Sequence, residues 1–209
     1  HDALPILLKG CHYKGGFDCV AIYLRNNPES RFFSKKGLIL GGSHSPSPLN
    51  SEAHQGDLSA VLLQNLNPLV NLIRVPKKPI ILMDEWESKI KAIVENTWNK
   101  DVNSLSGVPS WMLVLIKAVL KKTGREYLTD VWPNLEVFFH GGISFEPYRE
   151  QYKTLIPSNK MHYMETYNAS EGFFGLQDDP TDPSLLMMPD YGIFYEFIPM
   201  NEVGSAHPT

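Results

Sequence analysis

A short stretch late in the chain, Tyr167-Asn168-Ala169-Ser170-Glu171-Gly172, gathers three groups able to do chemistry within five residues. Tyr167 offers a flat aromatic face. Ser170 offers a hydroxyl that can both donate and accept. Glu171 offers hard carboxylate oxygens of the kind Mg²⁺ takes, one or two at a time, together with substrate phosphates. Upstream, His140-Gly141-Gly142 carries no side-chain bulk at two successive positions, so a flat ring or a phosphate could lie close to the backbone. Each feature has a plainer reading. Glu171 could be a solvated loop acid, Tyr167 a core residue beside Phe173, and Gly141-Gly142 a tight turn.

Other groupings carry less. Cys11-His12 with Cys19 lacks a fourth metal ligand at sensible spacing, which favours buried core cysteines. Ser43 and His44 are adjacent and cannot form a nucleophile–base pair, and there is no Gly-x-Ser-x-Gly elbow, which argues against a hydrolase. Gly41-Gly42-Ser43-His44-Ser45 lacks the Lys and Ser/Thr of a nucleotide P-loop and reads as structural. His162 reads as a packed residue. Lys77-Lys78 and Lys121-Lys122 read as solvated faces, while Lys35-Lys36 could attract phosphate.

The segments around these residues must place them. Lys14-Gly15-Gly16 precedes a helical spacing of Phe17, Val20, Ala21 and Leu24, ended at Asn26-Asn27-Pro28. Gly37–Leu40 predicts a short buried strand running into a loop over 41–48, and Asp57 predicts the cap of a helix to about Leu66. A helix is expected over Asp84–Trp98. Strand 102–105, turn 106–110, helix 111–122, strand 135–139, turn 140–142, helix 146–155, strand 160–165 and turn 166–172 then follow. This alternation predicts a mostly parallel sheet with crossover helices. Three further strands, 173–176, 185–188 and 192–198, predict a C-terminal antiparallel meander, with Phe194 and Phe197 on different surfaces. Successive parallel strands all end at one edge of their sheet, which brings the loops 106–110, 140–142 and 166–172 to one rim, where open α/β sheets bind ligands.

Bulk properties narrow the class. With 43% hydrophobic residues in 209, the chain has enough apolar surface to fold, which excludes a disordered or collagen-like protein. A net charge of −4 supplies no basic field to draw the whole chain to nucleic acid or an anionic membrane. No apolar stretch reaches the roughly 20 residues of a membrane span. Two cysteines exclude a disulfide framework and point to a reducing compartment, the cytoplasm. The opening His1-Asp2-Ala3-Leu4, without an initiator Met, reads as a piece cut from a longer protein, the alternative being a processed mature one.

The residues also carry a resemblance. Tyr167-Asn168-Ala169-Ser170-Glu171 resembles the Tyr-x-x-Ser/Thr-Glu motif of adenylate-forming enzymes. With His12-Tyr13-Lys14-Gly15-Gly16, Leu40-Gly41-Gly42-Ser43-His44, Phe139-His140-Gly141-Gly142 and Gly172-Phe173-Phe174-Gly175, the chain is similar over nearly its whole length to the auxin-responsive acyl acid–amido synthetase family. The resemblance implies a single α/β piece, 1–209, of the large adenylating domain, with the phosphate loop upstream of His1 and a mobile C-terminal domain beyond Thr209. It implies an enzyme that uses ATP and Mg²⁺ to adenylate a carboxylic acid and then joins the acyl group to an amino acid. Tyr167 would stack on adenine, with Thr166 and Ala169 beside the nucleotide and His140, Gly141 and Gly142 forming the adenine-side wall. Ser170 would face the phosphate and the acyl carboxylate, and Glu171 would hold Mg²⁺. Val108 and Trp111 would line the acyl pocket. Asn168 stands where many relatives have Gly. Two other readings are an acyl–coenzyme A ligase, which shares the first half-reaction, and a nucleotide-binding module without turnover.

Overall fold

The computed structural model describes residues 8–46 and 54–204, so Ser47, Pro48 and both chain ends lie outside the described residues. A seven-stranded mixed sheet forms the centre, in the order β4-β1-β5-β6-β7-β8-β9. Its strands are β1 (Lys36–Leu40), β4 (Arg74–Val75), β5 (Val102–Gly107), β6 (Val137–Gly141), β7 (His162–Ala169), β8 (Gly172–Leu176) and β9 (Leu186–Met187). Strands β4, β1, β5, β6 and β7 run parallel, and β8 and β9 add antiparallel at one edge. The α/β class, the parallel centre and the antiparallel end agree with the sequence.

Alternation along β6 shows how the layers divide. Phe138 faces a large apolar cluster with Leu38, Leu40 and Leu105, while its neighbour Val137 faces the opposite cluster with Tyr23 and Met164. The first face is covered by α4 (Trp86–Thr97), α5 (Pro109–Thr123) and α7 (Arg149–Leu155); the second is covered by α1 (Lys14–Asn26). Two smaller helices, α2 (Leu58–Gln64) and α3 (Lys78–Ile81), follow β1 in the chain, and α6 (Leu128–Val131) precedes β6.

Local chemistry explains these helices. Proline opens α5 at its first position, where no backbone donor is lost, and Met112, Leu115, Ile116 and Val119 recur on its buried stripe. Helix α4 is capped by the Glu85 carboxylate, which accepts from the N–H groups of Glu87 at 2.9 Å and Ser88 at 2.7 Å. Helix α7 is anchored where the Tyr152 hydroxyl donates to the Pro109 carbonyl at 2.8 Å, inside a stack of Phe138, Phe145 and Tyr163.

Several boundaries differ from the sequence reading. Lys14-Gly15-Gly16 is part of the first turn of α1 instead of preceding it. Within 41–48, His44–Pro46 pairs with His54–Gly56 as a two-stranded ribbon, β2 and β3. Asp57 makes no side-chain cap to α2, because its carboxylate instead accepts from the Ser43 N–H at 3.0 Å. Strand β7 continues four residues past Glu165, because pairing with β8 satisfies a backbone that β6 no longer reaches. Residues 192–198 form no strand. Phe194 and Phe197 are both exposed, at 85% and 74%, where opposite faces were expected. An extended run forms a strand only where a neighbouring edge accepts its hydrogen bonds, and none pairs with it here.

Candidate active site

The parallel strands end level with one another. Leu40 pairs with Gly107, Gly107 with His140 and His140 with Glu165, so one register line crosses β1, β5, β6 and β7. The residues that follow form one rim: Gly41-Gly42, Val108, Gly141-Gly142 and Thr166-Tyr167. Between this rim, α1 and α2 lies a cavity of ≈ 480 Å³, a size typical of small-molecule sites. Val20, Leu40, Leu58, Leu62, Phe139 and Phe173 supply apolar wall. Polar side chains are fewer and include His12, Asp57, Ser59, Ser106, Thr166 and Asn168.

Gly141 needs its missing side chain. A Cβ there would sit 2.3 Å from the Thr166 carbonyl oxygen, so only glycine lets β6 and β7 close at this point. The next residue, Gly142, has φ +83°, a left-handed backbone that favours glycine. The Thr166 hydroxyl donates to the His140 carbonyl at 3.1 Å and ties the two strand ends together. Bare backbone therefore forms this part of the cavity wall.

His140 lines the cavity from the end of β6. Its ring is 3% exposed and faces away into the helix-covered core, stacked on Phe145 with centroids 4.3 Å apart. Burial, with a smaller contribution from the Arg149 charge, pushes its pKa down to about 3, so the ring stays neutral. Alternation along β6 turns the imidazole to the covered face, while His140 itself remains among the residues that line the cavity. Val108 and Trp111 both line the cavity, and Trp111 packs on Trp86 with centroids 5.6 Å apart.

The Tyr167-to-Glu171 segment is a β-hairpin end, not a loop. Tyr167, Asn168 and Ala169 belong to β7, and only Ser170 and Glu171 turn the chain into β8. Three further residues of strand, with a bulge between Tyr167 and Asn168, carry the turn at Ser170 beyond Thr166, the last β7 residue paired with β6. Tyr167 is 56% exposed, set against Phe174 with centroids 5.1 Å apart; it is not the core partner of Phe173. Ser170 and Glu171 are exposed, and among the described residues neither side chain has a hydrogen bond or ion pair. Thr166 and Asn168 line the cavity; Tyr167, Ala169, Ser170 and Glu171 do not. Asn168 occupies ordinary negative-φ backbone beside a bulge, so this turn makes no demand for glycine there.

The donor set bears on a metal. Among the described residues, no three His, Cys, Asp or Glu side chains converge to hold an ion. Cys11 and Cys19 are free and buried. Glu171, a lone exposed carboxylate, fits an ion whose remaining ligands are phosphate oxygens and water, the usual state of Mg²⁺. No helix among the described residues is long and apolar enough to cross a membrane.

Sequence reasoning missed two contributors. One is Lys89, buried in the first turn of α4, whose ammonium donates to the Gly41 carbonyl at 2.7 Å and the Gly42 carbonyl at 3.0 Å. Its pKa is lowered by burial, opposed by the Asp57 charge. The Ser59 hydroxyl accepts from the Gly42 N–H at 2.8 Å and completes this clamp. An isolated Lys in an amphipathic stretch gives no sign of this. The other is His12, which lines the cavity from beside α1.

A search of curated proteins returned no match. The profile described as the GH3 family N-terminal domain matches residues 7–161, which takes in β1 through α7 and three of the four rim corners. On that match the chain belongs to the GH3 family, the auxin-responsive acyl acid–amido synthetases.

Proposed function

We propose that this chain is the acid- and nucleotide-binding part of an ATP-dependent acyl acid–amido synthetase. Its phosphate loop and C-terminal domain would lie outside residues 1–209, and alone it would show little or no turnover. A carboxylate oxygen of the acid attacks the α-phosphorus of ATP, and the bond to pyrophosphate breaks. The amine nitrogen of an amino acid then attacks the acyl carbon, AMP leaves with its bonding pair, and the nitrogen loses a proton. The observation that carries the reading is the cavity at the strand ends, walled by the Gly141-Gly142 backbone and flanked by the hairpin that bears Tyr167, Ser170 and Glu171.

In this reading the adenine lies against the Gly141-Gly142 backbone, beside Thr166 and Ala169, with the Tyr167 face available for stacking. The apolar wall around Val108 and Trp111 takes the carbon body of the acid. Ser170 presents its hydroxyl to the phosphate and acyl carboxylate from the hairpin tip. Mg²⁺, held by Glu171 and the phosphates, would offset the charge that builds on the phosphorus oxygens.

The test uses the natural full-length protein. Acid-dependent exchange of pyrophosphate into ATP is expected, followed by amide products, identified by mass, when amino acids are added. Thioester products with coenzyme A in place of amides would reassign the acceptor. Absence of acid-dependent exchange across a panel of carboxylic acids would leave a nucleotide-binding module.

A further inference from the structure

Most buried polar side chains in this fold have partners, and His12 does not. Its ring is 4% exposed, yet among the described residues neither Nδ1 nor Nε2 makes a hydrogen bond. Four other side chains leave a buried atom unmatched: Asn103 and Arg74 bind through their other polar atoms, and the His140 Nδ1 and the Tyr163 hydroxyl sit in the aromatic stack on Phe145. Among the described residues His12 binds through neither nitrogen, and it lines the cavity at the strand ends.

Its position is fixed from both sides. His12 lies in a single π-helical turn, Leu8–Tyr13, a rare conformation that concentrates at functional sites. On one side the Cys11 sulfur accepts the Phe173 N–H at 2.8 Å, tying the turn to β8. On the other the Tyr13 hydroxyl donates to the Leu62 carbonyl at 3.1 Å, tying it to α2. The imidazole between these ties is held at the cavity wall. Burial lowers its pKa, so the ring is neutral and keeps one N–H donor and one lone pair.

An unmatched pair of ring nitrogens costs stability and is tolerated where a ligand completes them. Val20, Leu58, Leu62, Trp111 and Phe173 supply the apolar wall of the same cavity. That lining suits a mostly hydrocarbon ligand with few polar groups, which describes an organic acid better than a triphosphate. We propose that His12 is a substrate-binding residue that hydrogen-bonds a polar group of the carboxylic acid held in this cavity. The proposal rests on the adenylation reading for the identity of the ligand as an acid.

The experiment compares wild-type full-length protein with His12→Phe, which keeps a flat ring without nitrogens, and His12→Asn, which keeps a donor and an acceptor. With the acid selected by pyrophosphate exchange, His12→Phe is expected to raise the KM for the acid about 10- to 100-fold, with the KM for ATP unchanged. His12→Asn is expected to fall closer to wild type. In the ligand-free protein, His12→Phe is expected to raise the melting temperature by a few degrees, since no unmatched nitrogen remains buried. An unchanged KM for the acid, or a rise confined to ATP, overturns the proposal. Should no acid drive exchange in the wild type, the adenylation reading falls by itself. His12 is then decided on the melting temperatures: a lower value for His12→Phe makes it a packing residue, and a higher one keeps it as a ligand contact.

Discussion

Two turns leave the same edge of the sheet and are built in opposite ways. The corner after β1, Gly41-Gly42-Ser43, is held at both carbonyls by a buried Lys89 and at its N–H groups by Ser59 and Asp57. The turn after β7, Ser170-Glu171, is exposed, and its side chains are unbound among the described residues. Both are rich in residues that sequence motifs advertise as phosphate-binding. The clamped one has spent its backbone donors on the protein itself and serves as scaffold. The free one has kept its hydroxyl and carboxylate for something else. Between them lies Gly141-Gly142, whose missing side chains hold two strands together and leave a bare wall.

Substitutions can break or sharpen this contrast, ordered by their expected effect on stability. Lys89→Met leaves the Gly41 and Gly42 carbonyls buried without a donor, and should cost about 2–4 kcal/mol. The measurement is the thermal midpoint, which moves roughly 2–4 °C per kcal/mol in a domain of this size. A midpoint within 1 °C of wild type, on the order of a surface change, would mean the corner is not clamped.

Gly141→Ala drives a methyl group against the Thr166 carbonyl and should cost about 1–3 kcal/mol, with β6 and β7 parting at the rim. Amide hydrogen exchange would register this as faster exchange in β7 beyond Thr166. Unchanged protection would argue that the strands close without needing glycine.

His140 sets the pH response of the core beneath the rim. Its folded pKa of about 3 lies below the ordinary 6.5, so between these values the unfolded chain binds a proton that the folded chain refuses. Stability therefore falls as pH drops through that window, with a slope of up to about 1.4 kcal/mol per pH unit from this one group. His140→Phe, which preserves the stack on Phe145, should flatten the dependence of the urea midpoint between about pH 6 and pH 4. An unaltered slope would place the acid sensitivity elsewhere.

Glu171→Ala should move the melting temperature least, within about 0.5 kcal/mol, because nothing in the fold leans on it. Its expected consequence is chemical: about 100-fold or more off the rate of pyrophosphate exchange in the full-length protein. Full exchange activity in this variant would remove Glu171 from the metal role.

The contrast also marks how far sequence reading reaches. The strand–helix alternation placed the parallel sheet, and the strands ending together placed Gly141-Gly142 beside Thr166-Tyr167. Short-range signals sufficed there, because apolar period and turn residues are local. The extent of β7 was misjudged because nothing within 160–172 reveals that β8 will fold back and pair with it. The strand expected over 192–198 failed for the complementary reason, since β propensity does not supply a partner edge.

The sequence by itself determined the class of the sheet, which loops share its functional edge, and the family through motifs of a few adjacent residues. Tertiary structure decided which polar groups are available. Whether Lys89, His12, His140 or Glu171 is clamped, left unmatched, sealed or exposed depends on atoms contributed by segments tens of residues away. Burial and hydrogen bonding across such distances, not residue type, fix the charge each group carries and what it can still bind.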